Sequence, residues 1–147
     1  MTIAIRKAQE ADFPQLIDLF NEFAAFQKTP DRMTNTVAQM QQEKEFFQGF
    51  VAVDAEDKII GYVAWFFTFH TWVGKSIYMD DLYVTHAYRK HGIGQRLLDA
   101  VIAVGKEANC NRLRWLVSDW NTNAQAFYQK IGAELDHTEM HCELKLK

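Results

Sequence analysis

The sequence is poor in residues that mark several protein classes. Two prolines and seven glycines in 147 residues leave no room for a Pro/Gly-rich linker, and no low-complexity tract or internal repeat interrupts the chain. The two cysteines, Cys110 and Cys142, fit no metal-ligand spacing and are too few for a disulfide scaffold, so no metal is expected. No apolar run approaches the ~20 residues that cross a bilayer as a helix. The opening stretch MTIAIRKAQEAD lacks the apolar core of a secretory leader. Basic charge is not in surplus, because 16 Lys+Arg stand against 19 Asp+Glu for a formal charge of −3. A general nucleic-acid binder carries the opposite balance. These absences predict a reduced, cytoplasmic protein with neither nucleic acid nor membrane as partner.

What is present is apolar and aromatic: 48% of residues are hydrophobic and 14% aromatic. A chain of this length buries roughly 70% of its unfolded surface. One domain over residues 1–147 is the expectation.

Periodicity divides the chain into elements. Ile3 and Ile5 alternate with polar residues over Thr2–Lys7, a strand. Asp12 is placed to cap a helix with Pro14 in its first turn, and Phe13, Leu16, Ile17, Phe20 and Phe23 follow at helical spacing. A weaker helix is predicted from Thr36 to Phe47. Phe50–Val53, Ile59–Phe69 and Ser76–Thr85 read as strands, and Ile93 to about Ala108 as a long helix. Arg112–Ser118 is predicted as a strand and Asn121–Ile131 as a helix closed by Gly132. From Thr138 the tail alternates Met140, Cys142, Leu144 and Leu146 against polar residues, the pattern of a strand with one wet face. Consecutive strands in the middle imply antiparallel pairing. The fold class is therefore α+β, a mixed, mostly antiparallel sheet of six to seven strands with about four helices.

One segment joins a strand to a helix through Arg89–Lys90–His91–Gly92–Ile93–Gly94. Glycines there let backbone N–H groups approach an anion, and the helix start adds unpaired donors and a positive dipole end. Arg89, Lys90, His91 and Arg96 add cationic charge. This suits a pyrophosphate, although an ordinary glycine turn into a helix carries the same pattern. A dinucleotide fingerprint would need a third glycine where Leu97 stands, and a P-loop would need Gly-Lys-Ser/Thr where Gly94–Gln95–Arg96 stands. A pyrophosphate cofactor other than NAD or ATP, such as coenzyme A, is compatible.

This loop resembles the R-x-x-G-x-G/A segment of the GNAT superfamily of N-acetyltransferases. Tyr78–Val84 before it, with Asp119–Trp120–Asn121 and Phe127–Ala133 after it, resembles the diamine branch that acts on spermidine/spermine or thialysine. The resemblance implies a GNAT fold, acetyl-CoA as co-substrate and a homodimer paired through C-terminal strands. It implies that Leu82, Tyr83 and Val84 bind the pantetheine arm through their backbone. Arg89, Lys90, His91, Gly92, Ile93, Gly94 and Gln95 would take the pyrophosphate. Asn121, Asn123, Ala124, Tyr128 and Lys130 would contact the cofactor further along. Tyr128 would protonate the leaving thiolate and Asp80 would act as base. Phe26, Gln27, His70, Trp72, Asp80, Asp81 and Trp115 would form the acceptor side.

Residue chemistry bears on these expectations. A phenol is a neutral proton donor near pH 7, and Phe127 would take the buried position of its helix and leave Tyr128 available. Asp80 and Asp81 point to opposite faces of a regular strand, so reaching one cleft requires a bulge, expected between Asp80 and Val84. Asp80 is one methylene shorter than the branch's glutamate. Gln27 and His70 stand where polyamine enzymes would carry acids, which favours a small primary amine, a diamine or a lysine-like amino acid, over spermidine. Cys110 has no His or acid partner for nucleophilic chemistry. The alternatives are acetylation of a protein or peptide amine, and a regulatory module that binds acetyl-CoA without turnover.

Overall fold

A computed structural model describes all 147 residues. They form two compact units, residues 1–115 and 116–147.

The first unit is built on one sheet of five strands in the order β1-β2-β3-β4-β5. These are β1 (Ala4–Lys7), β2 (Gln48–Val53), β3 (Ile59–His70), β4 (Gly74–Val84) and β5 (Arg112–Arg114). Neighbours are antiparallel except β4 and β5, which are parallel and joined through α3 (Ile93–Glu107). The sheet is mixed as expected, but it has five strands rather than six or seven. β5 ends at Arg114 instead of running to Ser118, and the tail after Thr138 forms no strand. A strand requires a backbone partner, and alternation of apolar side chains alone supplies none. Met140, Leu144 and Leu146 are 83–90% exposed, and Cys142 is exposed rather than packed.

α1 (Phe13–Phe26) begins with Pro14 in its first turn, where no N–H is missed. Asp12 precedes it but makes no side-chain cap. Its carboxylate instead receives both Arg6 guanidinium nitrogens, at 2.7 and 2.8 Å, and the Gln9 N–H at 2.8 Å. The face carrying Phe13, Leu16 and Leu19 packs on Val51, Tyr62, Ala64 and Tyr83 of the sheet. Full burial of a side chain such as Leu16 stabilises the fold by about 2 kcal/mol. α2 (Val37–Gln42) starts where Thr36 accepts the Gln39 N–H at 3.1 Å. It stops earlier than the pattern predicts. Residues 44–46 tighten into a single turn, and Phe47 turns edge-on to Phe13 at 6.0 Å. Packing of that ring overrides helical periodicity.

In the second unit Asn121 caps α4 (Thr122–Lys130) by accepting the Ala124 N–H at 3.2 Å. Tyr128 is its buried residue and Phe127 is half-buried, the reverse of the expected arrangement.

Candidate active site

The two neighbouring acids of β4 lie where the sheet departs from regular pairing. Trp65 pairs with Met79 and Ala64 with Asp81, so Asp80 has no partner across the ladder. The extra residue is a β-bulge at Asp80, at the start of the expected interval. The bulge removes the alternation that would turn Asp80 and Asp81 to opposite faces. Both line a cavity of about 450 Å³ that is walled by α1, the turn Pro30–Arg32 and α2.

Asp81 is half-buried, and its Oδ2 accepts the Tyr62 hydroxyl at 2.8 Å. Burial, reinforced by the charge of Asp80, pushes the Asp81 carboxyl up to about 6, and the bond from Tyr62 opposes that rise. Asp80 is exposed by area, yet it stands in a concavity dense enough for burial to raise its carboxyl as well. Two acids whose proton affinity is raised in this way can bind an ammonium and accept its proton. Tyr62 is fully buried in β3, and burial and the Asp81 charge keep its hydroxyl protonated. It is a residue that sequence reasoning missed, although a lone hydroxyl in the apolar run Ile59–Trp65 signals a buried partner.

Beyond Tyr78, β4 makes no pairs with β5, so the stretch from Asp80 to Val84 keeps one edge without ladder bonds. A turn at His86–Tyr88 leads from that edge to the glycine loop. Lys90 and Gly92 adopt left-handed backbones, at φ 64° and 75°. Gly92 caps α3, and the first N–H groups of that helix have no acceptor within it. A Cβ placed on Gly94 would meet nothing within 4 Å, so no packing demands glycine there. The bare first turn is open to a ligand that approaches the backbone.

Residues 13–133 match the family model described as the Acetyltransferase (GNAT) family. The chain belongs to this family. It is an acetyl-transferring enzyme. It is 32% identical over 154 residues to the thialysine N-epsilon-acetyltransferase of Bos taurus, covering 95% of this chain and 90% of that protein. The thialysine N-epsilon-acetyltransferase of Caenorhabditis elegans is 31% identical over 80% of this chain and 74% of its own length. Among solved structures, a transcriptional regulator from Bacillus halodurans superposes with a TM-score of 0.81 at 22% identity, over 97% of this chain and 100% of that one. An aminoglycoside acetyltransferase from an uncultured soil metagenomic sample gives 0.80 at 22% identity, over 99% and 97%. These two likenesses concern the GNAT fold alone.

Against the expected GNAT acceptor side, Gln27, Asp80 and Asp81 share the cavity. His70 and Trp72 do not line it. They sit at the β3–β4 hairpin tip, where His70 Nδ1 accepts the Trp72 N–H at 3.1 Å and Trp72 is 88% exposed. His70 pairs with Gly74 and Ala64 with Asp81, which at ~3.3 Å per residue sets the tip roughly 20 Å from the acids. Trp115 follows β5, half-buried and outside the cavity. Phe26 serves the loop instead: the Arg89 guanidinium lies 4.6 Å above its ring and 5.3 Å from that of Tyr83.

Arg89 also donates from Nε to the Val84 carbonyl at 2.8 Å, so its side chain braces the strand end rather than pointing out from the loop. Arg96 reaches the Ile3 carbonyl at 3.0 Å, away from the helix start. His91 Nδ1 lies 3.3 Å from the Tyr88 carbonyl, and Gln95 donates to Asp99 at 2.8 Å. The donors this loop keeps for an outside partner are Lys90 and the backbone N–H groups around Gly92, Ile93 and Gly94. Tyr83, whose hydroxyl donates to Glu22 Oε2 at 2.7 Å, is pushed up to about 12, first by burial and then by that bond. In the second unit Asn121 and Ala124 are engaged with each other as the α4 cap, Asn123 and Lys130 are exposed, and Tyr128 is buried.

Proposed function

We propose that this protein transfers the acetyl group of acetyl-CoA to a primary amine of a small molecule, a diamine or a lysine-like amino acid. Transfer occurs by direct attack in a ternary complex. The observation that carries this reading is the bulge at Asp80, which turns two adjacent acids into one cavity beside the strand edge at Leu82–Val84. Acetyl-CoA supplies the activated acyl group. The unpaired edge of β4 suits its pantetheine amides, and the glycine loop with the open first turn of α3 suits its pyrophosphate.

The acceptor arrives as an ammonium, which has no lone pair. Asp81 holds it, and Asp80 takes its proton directly or through a water. The neutral amine then attacks the thioester carbonyl, and a backbone N–H of residues 82–84 stabilises the oxygen as it gains charge. The C–S bond breaks, and Tyr128 gives its proton to the departing sulfur. That role for Tyr128 rests on its place in the family motif. In this reading residues 1–147 act as one acetyltransferase domain, and the family match across residues 13–133 supports that unity. The working state is a cytoplasmic homodimer, supported by the exposed apolar positions Met140, Leu144 and Leu146.

The test is release of free coenzyme A from acetyl-CoA across a panel of small amines. Tyr128→Phe is expected to retain coenzyme A binding by calorimetry and to lower kcat by about 100-fold, a typical worth of acid catalysis. An unaltered kcat removes the acid role from Tyr128. Failure of every amine to release coenzyme A removes the substrate class.

A further inference from the structure

A second cavity, of about 180 Å³, lies further along β3 and β4 toward their hairpin tip. It shares no lining residue with the acceptor cavity. Two rungs of the sheet line it. Phe66 pairs with Tyr78 and Tyr78 with Arg114, while Thr68 pairs with Ser76 and Ser76 with Arg112. Spaced two apart on each strand, these side chains stand on one face. His70, one rung further along β3, also lines the cavity. No Asp or Glu does, in a chain where acids outnumber Lys and Arg by 19 to 16.

Arg112 carries the main observation. Its Nε is buried and has no hydrogen-bond partner. A guanidinium remains charged in a protein, so the group does not escape by losing its proton. A buried donor on a charged group without an acceptor is costly, and an anion in the cavity removes that cost. His70 adds a second donor. Its Nδ1 accepts the Trp72 N–H at 3.1 Å, which leaves the ring proton on Nε2. Burial and the Asp80 charge raise the Tyr78 hydroxyl and keep it protonated, and the Arg114 charge opposes that rise. Ser76 already donates to the Gly74 carbonyl at 3.0 Å.

Size and walls select the kind of anion. The volume is below the ~300 Å³ at which drug-sized sites begin, so the ligand is small. The rings of Phe66 and Tyr78, tilted with centroids 5.2 Å apart, give the cavity an aromatic wall. Inorganic phosphate would meet the donors and leave this wall against water. A carboxylate fits the flat edge of a guanidinium, and an apolar body behind it covers the rings. We propose that this cavity is a second ligand site that binds a small organic acid. Arg112 takes the carboxylate, with Arg114 and His70 beside it, and the apolar body lies against Phe66 and Tyr78. The site goes beyond the transfer reaction and does not depend on it.

Benzoate and benzamide test this, being alike in shape and different in charge. In proton–nitrogen correlation spectra benzoate is expected to shift one arginine Nε–H resonance, and that resonance is missing from Arg112→Gln and Arg112→Lys. Benzamide should bind the wild type at least about tenfold more weakly, the loss of one charge-assisted pair. Arg112→Gln should weaken benzoate binding by a similar factor, and Arg112→Lys, which keeps the charge without the fork, by less. No shift of that resonance up to about 20 mM benzoate, a weak limit for a ligand of so few atoms, would overturn the site. Equal binding of benzamide would do the same. Inorganic phosphate that binds as tightly as benzoate would overturn the choice of an organic acid. Benzoate binding that is lost in Lys90→Gln or Arg32→Gln and kept in Arg112→Gln would place the anion at the glycine loop or the acceptor cavity, and so refute the proposal. Arg112→Gln should melt at or above the wild type, because the Nε it removes makes no bond. If that variant does not fold, Arg112→Lys identifies the resonance and the benzoate–benzamide contrast on the wild type still decides.

Discussion

A single hydroxyl sets the behaviour of the acid pair. Burial and the neighbouring Asp80 charge raise the Asp81 carboxyl, and the Tyr62 hydroxyl pulls it back by donating to the ionised form. Asp81 must be anionic to hold an ammonium, so kcat/KM should rise with pH through a limb near pH 6. In Tyr62→Phe the anion loses a donor and the carboxyl binds its proton more tightly. The limb should move up by about one to two units, as expected for a hydrogen bond to a charged group. The variant should lose most of its activity at pH 6 and recover it above pH 8. A pH profile of kcat/KM checks this, and an unmoved limb would mean that Asp81 does not govern it. The sequence makes the acid pair visible, because two adjacent carboxylates in an apolar strand are conspicuous. It does not reveal the Tyr62 partnership. That bond joins residues on different strands, and the pairing of Tyr62 with Tyr83 and of Ala64 with Asp81 sets the two diagonally across the ladder.

At the level of elements, the turn into α3 divides its glycines into two kinds. Gly92 holds a left-handed backbone at φ 75°, and a Cβ there costs about 1 kcal/mol. Gly94 lies within the helix, and the space a methyl would take is empty to 4 Å. The Gly94→Ala side chain therefore has room and should strengthen the helix by roughly 0.5–1 kcal/mol. Gly92→Ala should melt lower than wild type and Gly94→Ala higher. If the first turn of α3 receives the pyrophosphate, Gly94→Ala should nonetheless bind coenzyme A about tenfold more weakly, the loss of one charge-assisted contact. Thermal melts and calorimetry on the same samples test the split. A Gly94→Ala variant that binds at full strength would leave its glycine without a ligand role. The loop itself was legible, since a strand, two glycines and a helix follow one another in sequence. The direction of its cations was not. Arg89 turns back over Phe26 and Tyr83 because those rings and the Val84 carbonyl satisfy the guanidinium better than open solvent does.

For the whole molecule, a charge of −3 conceals a distribution. The cavity gathers Asp80, Asp81 and Glu43 against Arg32, and the glycine loop offers Lys90 and backbone donors. Net charge spoke against a general nucleic-acid binder but could not reveal this arrangement. The tail bears on assembly. Its alternating residues form no strand in the single chain, and Met140 and Leu146 are each 90% exposed. If a second copy supplies the missing ladder partner, light scattering should report twice the chain mass of 17.1 kDa. Met140→Lys with Leu144→Lys should then shift the protein to monomer. A wild type that is already monomeric would remove the homodimer.

The sequence by itself determined the order of the elements as far as α4, the α+β class, the glycine loop and the adjacent acids. Each is written in local periodicity or in neighbouring residues, where 3.6- and 2-residue spacings and backbone freedom act over a few positions. Tertiary structure decided what those residues face. The bulge brought Asp80 and Asp81 into one cavity, the hairpin carried His70 and Trp72 away from it, and the turns around α2 added Arg32 and Glu43 to its lining. Strand register and the folding of distant loops are set by the sum of core packing, to which no short stretch of sequence has access.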